Sequence, residues 1–129
     1  MSDPTCPFCE IPGERVWLEN EHAVAFRDGF PISPGHTLVV PRGHHPSIFE
    51  VSPEVSQAIW QLVAEVRKAL IAEGHPDGFN VGVNDGSAAG QTVMHGHVHV
   101  IPRFAGDVAD PRGGIRWVVP DKAAYWGDK

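Results

Sequence analysis

An antiparallel α+β fold is what this sequence predicts, and two observations carry the prediction. Short β-rich runs at residues 16–18, 23–26, 36–41, 79–83 and 98–101 follow one another, the first of them through tight turns, so about five strands pair antiparallel. Residues 53–73 alone repeat apolar side chains at the helical period, which inserts one long helix among the strands.

Each element has a local reason. Pro4, Pro7 and Pro12 deny regular structure to residues 1–15, where Cys6-Pro7-Phe8-Cys9 forms a tight knuckle. Glu19-Asn20-Glu21-His22 reads as a hairpin turn between the first two strands. A proline-glycine loop over 28–35 leads into the run at 36–41, which Pro41 stops. Ser52-Pro53 opens the helix as N-cap and first-turn proline, and Gly74 stands where a C-terminal cap belongs. Apolar side chains at 55, 59, 62, 63, 66 and 70 make its inner face, while Gln57, Gln61, Glu65 and Lys68 make the outer one. Residues 115–119 read as a further strand, and 123–126 as a short helical segment or ordered tail.

Composition narrows the function. The 129 residues are expected to fold as one domain, 1–129, with a knuckle-bearing loop at 1–15 and a tail at 104–129. A formal charge of −6, with no long Lys/Arg cluster, argues against a nucleic-acid partner. The amino-terminal residues carry no basic-then-apolar signal, and no run approaches the ~20 apolar residues of a membrane span, so the expected location is cytoplasmic, away from membranes. Cys6 and Cys9 are too close to staple a domain and read as a metal or redox pair.

The chemistry concentrates at His95, His97 and His99. In an extended chain alternate side chains share a face at a spacing of ~7 Å, so these three imidazoles line one side while Val98 and Val100 face a core. Ahead of them, residues 84–92 are small or amide-bearing, the composition of a loop whose N–H groups crowd an anion. Imidazoles beside an anion cradle point to phosphoryl chemistry.

The run His95-Gly96-His97-Val98-His99-Val100-Ile101, preceded by Gly90-Gln91-Thr92-Val93, resembles the His-x-His-x-His-x-x signature of the histidine-triad (HIT) family of nucleotide hydrolases and transferases. The likeness extends from Cys6 to about Arg103, and Gly96 departs from it where the family usually has an apolar residue, a change that would loosen a strand. The resemblance implies a homodimer with sheets joined edge to edge and a small nucleotide substrate. It implies that His97 is the nucleophile, which suits a neutral imidazole near pH 7. His99 and His36, the latter in Pro34-Gly35-His36, would then lie against the phosphates. Asn84, Gln91 and Thr92 match positions that contact phosphate or bridging oxygens, Asp28 one that accepts from ribose, and Phe8, Ile11 and Phe26 those lining a base slot. Pro102-Arg103 resembles the dinucleoside-polyphosphate hydrolase branch, with phosphoramidates as the second substrate class. The aromatic tail is expected to pack on the domain or its dimer partner, with Trp126 towards the substrate.

For the cysteines the expectation is structural Zn2+. Cys-x-x-Cys places two thiolates on one ion and two histidines close the shell. Zinc-bearing family members imply His95 and the histidine of Pro41-Arg42-Gly43-His44, so the set is Cys6, Cys9, His44 and His95, with His45 the adjacent competitor. Two rival readings stand beside this one: a catalytic metal held by all three triad histidines, and a nucleotide-binding protein with little turnover.

Overall fold

The computed structural model describes residues 3–127. Strands β1 (Val16–Glu19), β2 (Ala23–Arg27), β3 (Thr37–Pro41), β4 (Gly78–Gly82) and β5 (Val98–Arg103) form one antiparallel sheet ordered β1-β2-β3-β5-β4. Helix α1 (Pro53–Gly74) connects β3 to β4, and the four-residue α2 (Pro120–Ala123) lies in the tail. The expected fold class is the observed one.

The first turn is closed by Asn20, whose Oδ1 accepts from the N–H groups of His22 and Ala23 while its Nδ2 donates to Ala58 O on α1. Helix α1 starts as the sequence indicates, with Ser52 Oγ accepting from Val55 N–H. Its end differs: Gly74 stays helical and His75 takes the left-handed position at φ 49°, donating its N–H to Ile71 O. Pro76 follows at once and disfavours further helix, and histidine tolerates this region better than most residues.

Strand alternation divides the sheet into two faces with different covers. Ala23, Ala25, Val39, Val98 and Val100 meet Ile59, Leu62, Val63, Val66 and Leu70 of α1 in the main core. Truncating a fully buried member such as Ile59 to alanine removes about 2–5 kcal/mol of stability. The opposite face carries Val24, Phe26, Leu38 and Val40, over which Phe8, Ile11 and Val16 pack. His99 pairs with Leu38 on β3 and Gly82 on β4, which places its side chain on this helix-free face.

One expected strand is absent. Residues 114–118 form a 3-10 helix instead, because Gly113 and Gly114 take positive φ and the segment bonds to itself: Arg116 donates to Ala123 O and Lys122 O, and Trp117 Nε1 to Arg112 O. The second helical segment begins at Pro120, three residues before the expected start. In the tail, Ile115 lies against Gly82 of β4, Ala123 is buried, and Trp126 packs on Gly113 beneath the Arg112 guanidinium.

Candidate active site

The extended histidine run is strand only in its second part. His95, Gly96 and His97 precede β5, and only His99 lies within it. The cause is Gly96, whose N–H donates to His45 O at 2.7 Å and whose missing side chain leaves room for Ile48; an added Cβ would stand 2.6 Å from Ile48 N. Gly96 therefore does not loosen a strand; it admits the 45–48 segment against the triad backbone. Gly96→Ala is expected to cost about 1–3 kcal/mol by overpacking. An unchanged urea midpoint would show instead that the segment yields freely.

Hydrogen-bond partners assign the proton positions on the histidines. His97 Nδ1 lies 2.8 Å from His95 O, so Nδ1 carries the hydrogen and Nε2 keeps its lone pair. His95 Nε2 lies 2.8 Å from Pro41 O, so its lone pair is on Nδ1, which faces Cys6 Sγ at 3.4 Å and Cys9 Sγ at 3.6 Å. Burial pushes the His95 pKa down, which keeps the ring neutral as a ligand must be.

A second chain of bonds runs through His36. Its Nδ1 accepts from Ile32 N–H at 3.2 Å, so its proton sits on Nε2, 3.0 Å from His99 Nδ1 and 3.4 Å from Asp28 Oδ2. His99 then holds its own hydrogen on Nε2, beside His97 at 5.1 Å between ring centroids. Burial lowers the pKa of His36, against the pull of Asp28. It takes His99 from 6.5 down to about 4, with the neighbouring His97 and His36 adding to the shift and Asp28 opposing it.

This has a consequence for stability. Between pH 6.5 and about 4 the unfolded chain binds more protons at His99 than the folded chain does, so stability falls as pH drops through that window. Urea midpoints measured from pH 7 to pH 4 are expected to decline, less steeply in His99→Gln. Equal slopes in the two proteins would remove His99 as a cause.

The loop over 84–92 is cross-braced by Gln91. Its Oε1 accepts from Gly86 N–H, and its Nε2 donates to Pro46 O and Val93 O, so the buried amide is engaged with backbone on both atoms. Gly86 and Gly90 both take positive φ around a 3-10 turn, Ser87–Ala89. Asn84 is half-buried and Thr92 exposed. Next to the triad, Phe8 lies edge-on to His97 at 5.1 Å and to Phe26 at 5.4 Å, and Ile11 packs on the same cluster. Asp28 Oδ1 accepts from Phe30 N–H, leaving Oδ2 towards His36. Arg103 is engaged elsewhere: it pairs with Asp107 and donates to Asn80 Oδ1.

Cys6, Cys9, His44 and His95 form a tetrad whose donor atoms all lie within 4.8 Å of one another. Cys9 Sγ is 3.2 Å from His44 Nδ1. Zinc with ~2.3 Å bonds to sulfur and ~2.05 Å bonds to nitrogen in a tetrahedron needs S···N edges of about 3.6 Å, so the set fits it. The surroundings fit too, since Phe8 N–H points at Cys6 Sγ, Asp3 N–H at Cys9 Sγ, and Pro41 O orients His95. Burial pushes the Cys6 thiol pKa up, a cost that a cation would reverse. The same orientation argues against a metal shared by the three triad histidines, because His95 turns both ring nitrogens away from His97 and His99 towards the cysteines and Pro41. Asp28, His36 and His99 also cluster, but Ile32 N–H keeps the proton on His36 Nε2, where a metal would need a lone pair.

The sequence offered no sign of the Pro41 and His95 carbonyls or the Ile32 N–H, which are backbone groups that every residue type carries. Ile48 had one signal, the glycine at 96.

Residues 10–106 match the HIT domain. The chain belongs to the HIT family. A Zn-bound histidine triad family protein of Mycobacterium smegmatis shares the fold of this HIT protein with a TM-score of 0.72 at 36% identity, over 82% of this chain and 80% of that one. The asymmetrical bis(5'-nucleosyl)-tetraphosphatase of Schizosaccharomyces pombe is 34% identical over 80% of this chain and 57% of its own. An adenylylsulfatase of Arabidopsis thaliana is 38% identical over 76% of this chain and 52% of its own. Among the described residues, no helix is long and apolar enough to cross a membrane.

Proposed function

We propose that this HIT protein is a nucleotidyl hydrolase or transferase that cleaves dinucleoside polyphosphates at an α-phosphorus. The observation that carries the reading is the bond from His97 Nδ1–H to His95 O, which leaves an unprotonated Nε2 aimed by a fixed ring. Nε2 attacks the α-phosphorus, the bond to the bridging oxygen breaks, and the remaining polyphosphate departs with that oxygen's electron pair. Water then attacks the same phosphorus and gives up a proton to solvent, the P–N bond breaks, and the electron pair returns to Nε2 as the monophosphate leaves. His99, neutral and carrying Nε2–H, stabilises charge on a non-bridging oxygen.

Asn84 and Thr92 bind phosphate oxygens from a loop that Gln91 holds in shape, its amide hydrogens being spent on Pro46 O and Val93 O. Asp28 Oδ2 accepts from the ribose, and Phe8, Ile11 and Phe26 wall the base. Cys6, Cys9, His44 and His95 would hold zinc, which when bound would cross-link the amino-terminal knuckle to the triad. The protein works in the cytoplasm as a homodimer whose sheets join edge to edge, without nucleic acid or membrane.

Likeness to the tetraphosphatase supports the polyphosphate class, and likeness to the adenylylsulfatase keeps other adenylyl leaving groups in the screen. The test is turnover of purified protein on diadenosine tetraphosphate, adenosine phosphoramidate and adenylyl sulfate, followed by product analysis. Polyphosphate cleavage with the highest kcat/KM supports the assignment. Preference for the phosphoramidate would move it to that substrate class, and no turnover on any would reject the enzyme reading.

A further inference from the structure

The exposed apolar tail, the pockets beside Gly35, and the Arg103–Asp107 pair offer no ligand chemistry beyond what has been described. His36 carries an inference of another kind, because its two ring nitrogens are both committed within the protein. The ring is 3% exposed, with Nδ1 accepting from Ile32 N–H and Nε2 lying 3.0 Å from His99 Nδ1.

We infer that His36 is a positioning residue that holds His99 in its Nε2–H form, and that the turn at 31–36 exists to impose this. The inference rests on the proposed role of His99 as a phosphate donor. A neutral imidazole has one hydrogen, and which nitrogen bears it follows from what the other meets. Ile32 N–H meets His36 Nδ1, so the His36 hydrogen is on Nε2. That hydrogen meets His99 Nδ1, so the His99 hydrogen is on its Nε2. Each link fixes the next, and the chain starts from a backbone amide, which cannot change its protonation.

The turn is built to hold that amide in place. His36 N–H donates to Ser33 O, Ser33 Oγ donates to Pro102 O at 2.6 Å, and Thr37 Oγ1 donates to Gly35 O. Gly35 has φ +90° and a missing Cβ that would stand 3.0 Å from Leu70 Cδ2, so no other residue fits there without strain. The turn is thereby tied to α1 and to the end of β5, the strand that carries His99. Asp28, 3.4 Å from His36 Nε2, faces the same hydrogen and favours its staying there.

Two substitutions separate donation from simple filling of space. His36→Gln places an amide N–H near the position of Nε2 and an oxygen near Ile32 N–H; His36→Met fills the volume without a donor. Nitrogen-15 NMR of the imidazoles reads the tautomers with no substrate present, so it stands even if turnover is never found. The wild-type spectrum is expected to show Nε2–H at His36 and His99 and Nδ1–H at His97. His36→Met should leave His99 in mixed tautomers or Nδ1–H and lower kcat at least tenfold with KM changed only a few-fold, since one transition-state donor is lost. His36→Gln should restore the His99 Nε2–H signal and recover most of kcat. Nδ1–H at His36 or at His99 in the wild type, an unchanged His99 tautomer in His36→Met, or equal impairment of the two variants would overturn the proposal. If His36→Met does not fold, the wild-type tautomers and the His36→Gln spectrum decide it.

Discussion

His97→Ala is expected to lower turnover by about 10⁴- to 10⁶-fold while nucleotide affinity changes only a few-fold, because deleting a nucleophile removes the covalent route and spares ground-state contacts. The side chain is 7% exposed and sits between Phe8 and His99, so alanine also leaves a gap in the site. His97→Asn controls for that gap: its amide can donate to His95 O where Nδ1–H does, yet it offers no nitrogen lone pair to phosphorus. The asparagine variant should therefore melt close to wild type and be as inactive as alanine. Acid-labile nucleotide label should become attached to the wild-type chain when turnover is quenched, and to neither variant. Turnover by His97→Asn near the wild-type rate would sink the nucleophile assignment.

The fold was legible wherever period alone decides structure. Residues 55–70 repeat at the helical period and bury their apolar stripe, and Ser52 caps as its chemistry directs. Alternation along β5 likewise set Val98 and Val100 in the core and His99 on the opposite face. What failed depended on backbone partners. Residues 115–119 have strand-like composition, yet two positive-φ glycines ahead of them and bonds to 122 and 123 close a local turn. The period-two spacing implies extended chain from His95 to His99, but at Gly96 the partner is the loop carbonyl of His45 rather than a neighbouring strand. At the site, the Cys-x-x-Cys spacing pointed to Cys6 and Cys9 and the family resemblance to His44 and His95, and the chain folds the four into one cluster. The arrangement that orients those rings is made by Pro41 O, His95 O and Ile32 N–H, and a main-chain group has no letter of its own in a sequence.

The metal shell carries the largest expected effect on stability. Purified untagged protein should hold about one zinc per chain, the stoichiometry of one closed four-ligand shell. Cys6→Ser or Cys9→Ser removes a thiolate from a site whose four donors converge within 4.8 Å. With free zinc a thousandfold above its dissociation constant, binding contributes about 4 kcal/mol, which for a domain this size moves Tm on the order of 10–20 °C. Strong chelation of the wild type should produce the same fall, reversed by added zinc, whereas chelation should not lower Tm further in Cys6→Ser. The order of losses matters as much as their size. His95 faces the cysteines through its side chain and holds His97 through its carbonyl, so metal loss would act on His97 only by loosening that residue and the Phe8 ring beside it. At a temperature well below both melting points, chelated protein should keep the larger part of its kcat while its Tm has already dropped. Immediate and complete loss of turnover at unchanged Tm would mean that the metal takes part in the chemistry. A zinc-free protein that melts like the loaded one would mean that the tetrad holds no structural ion.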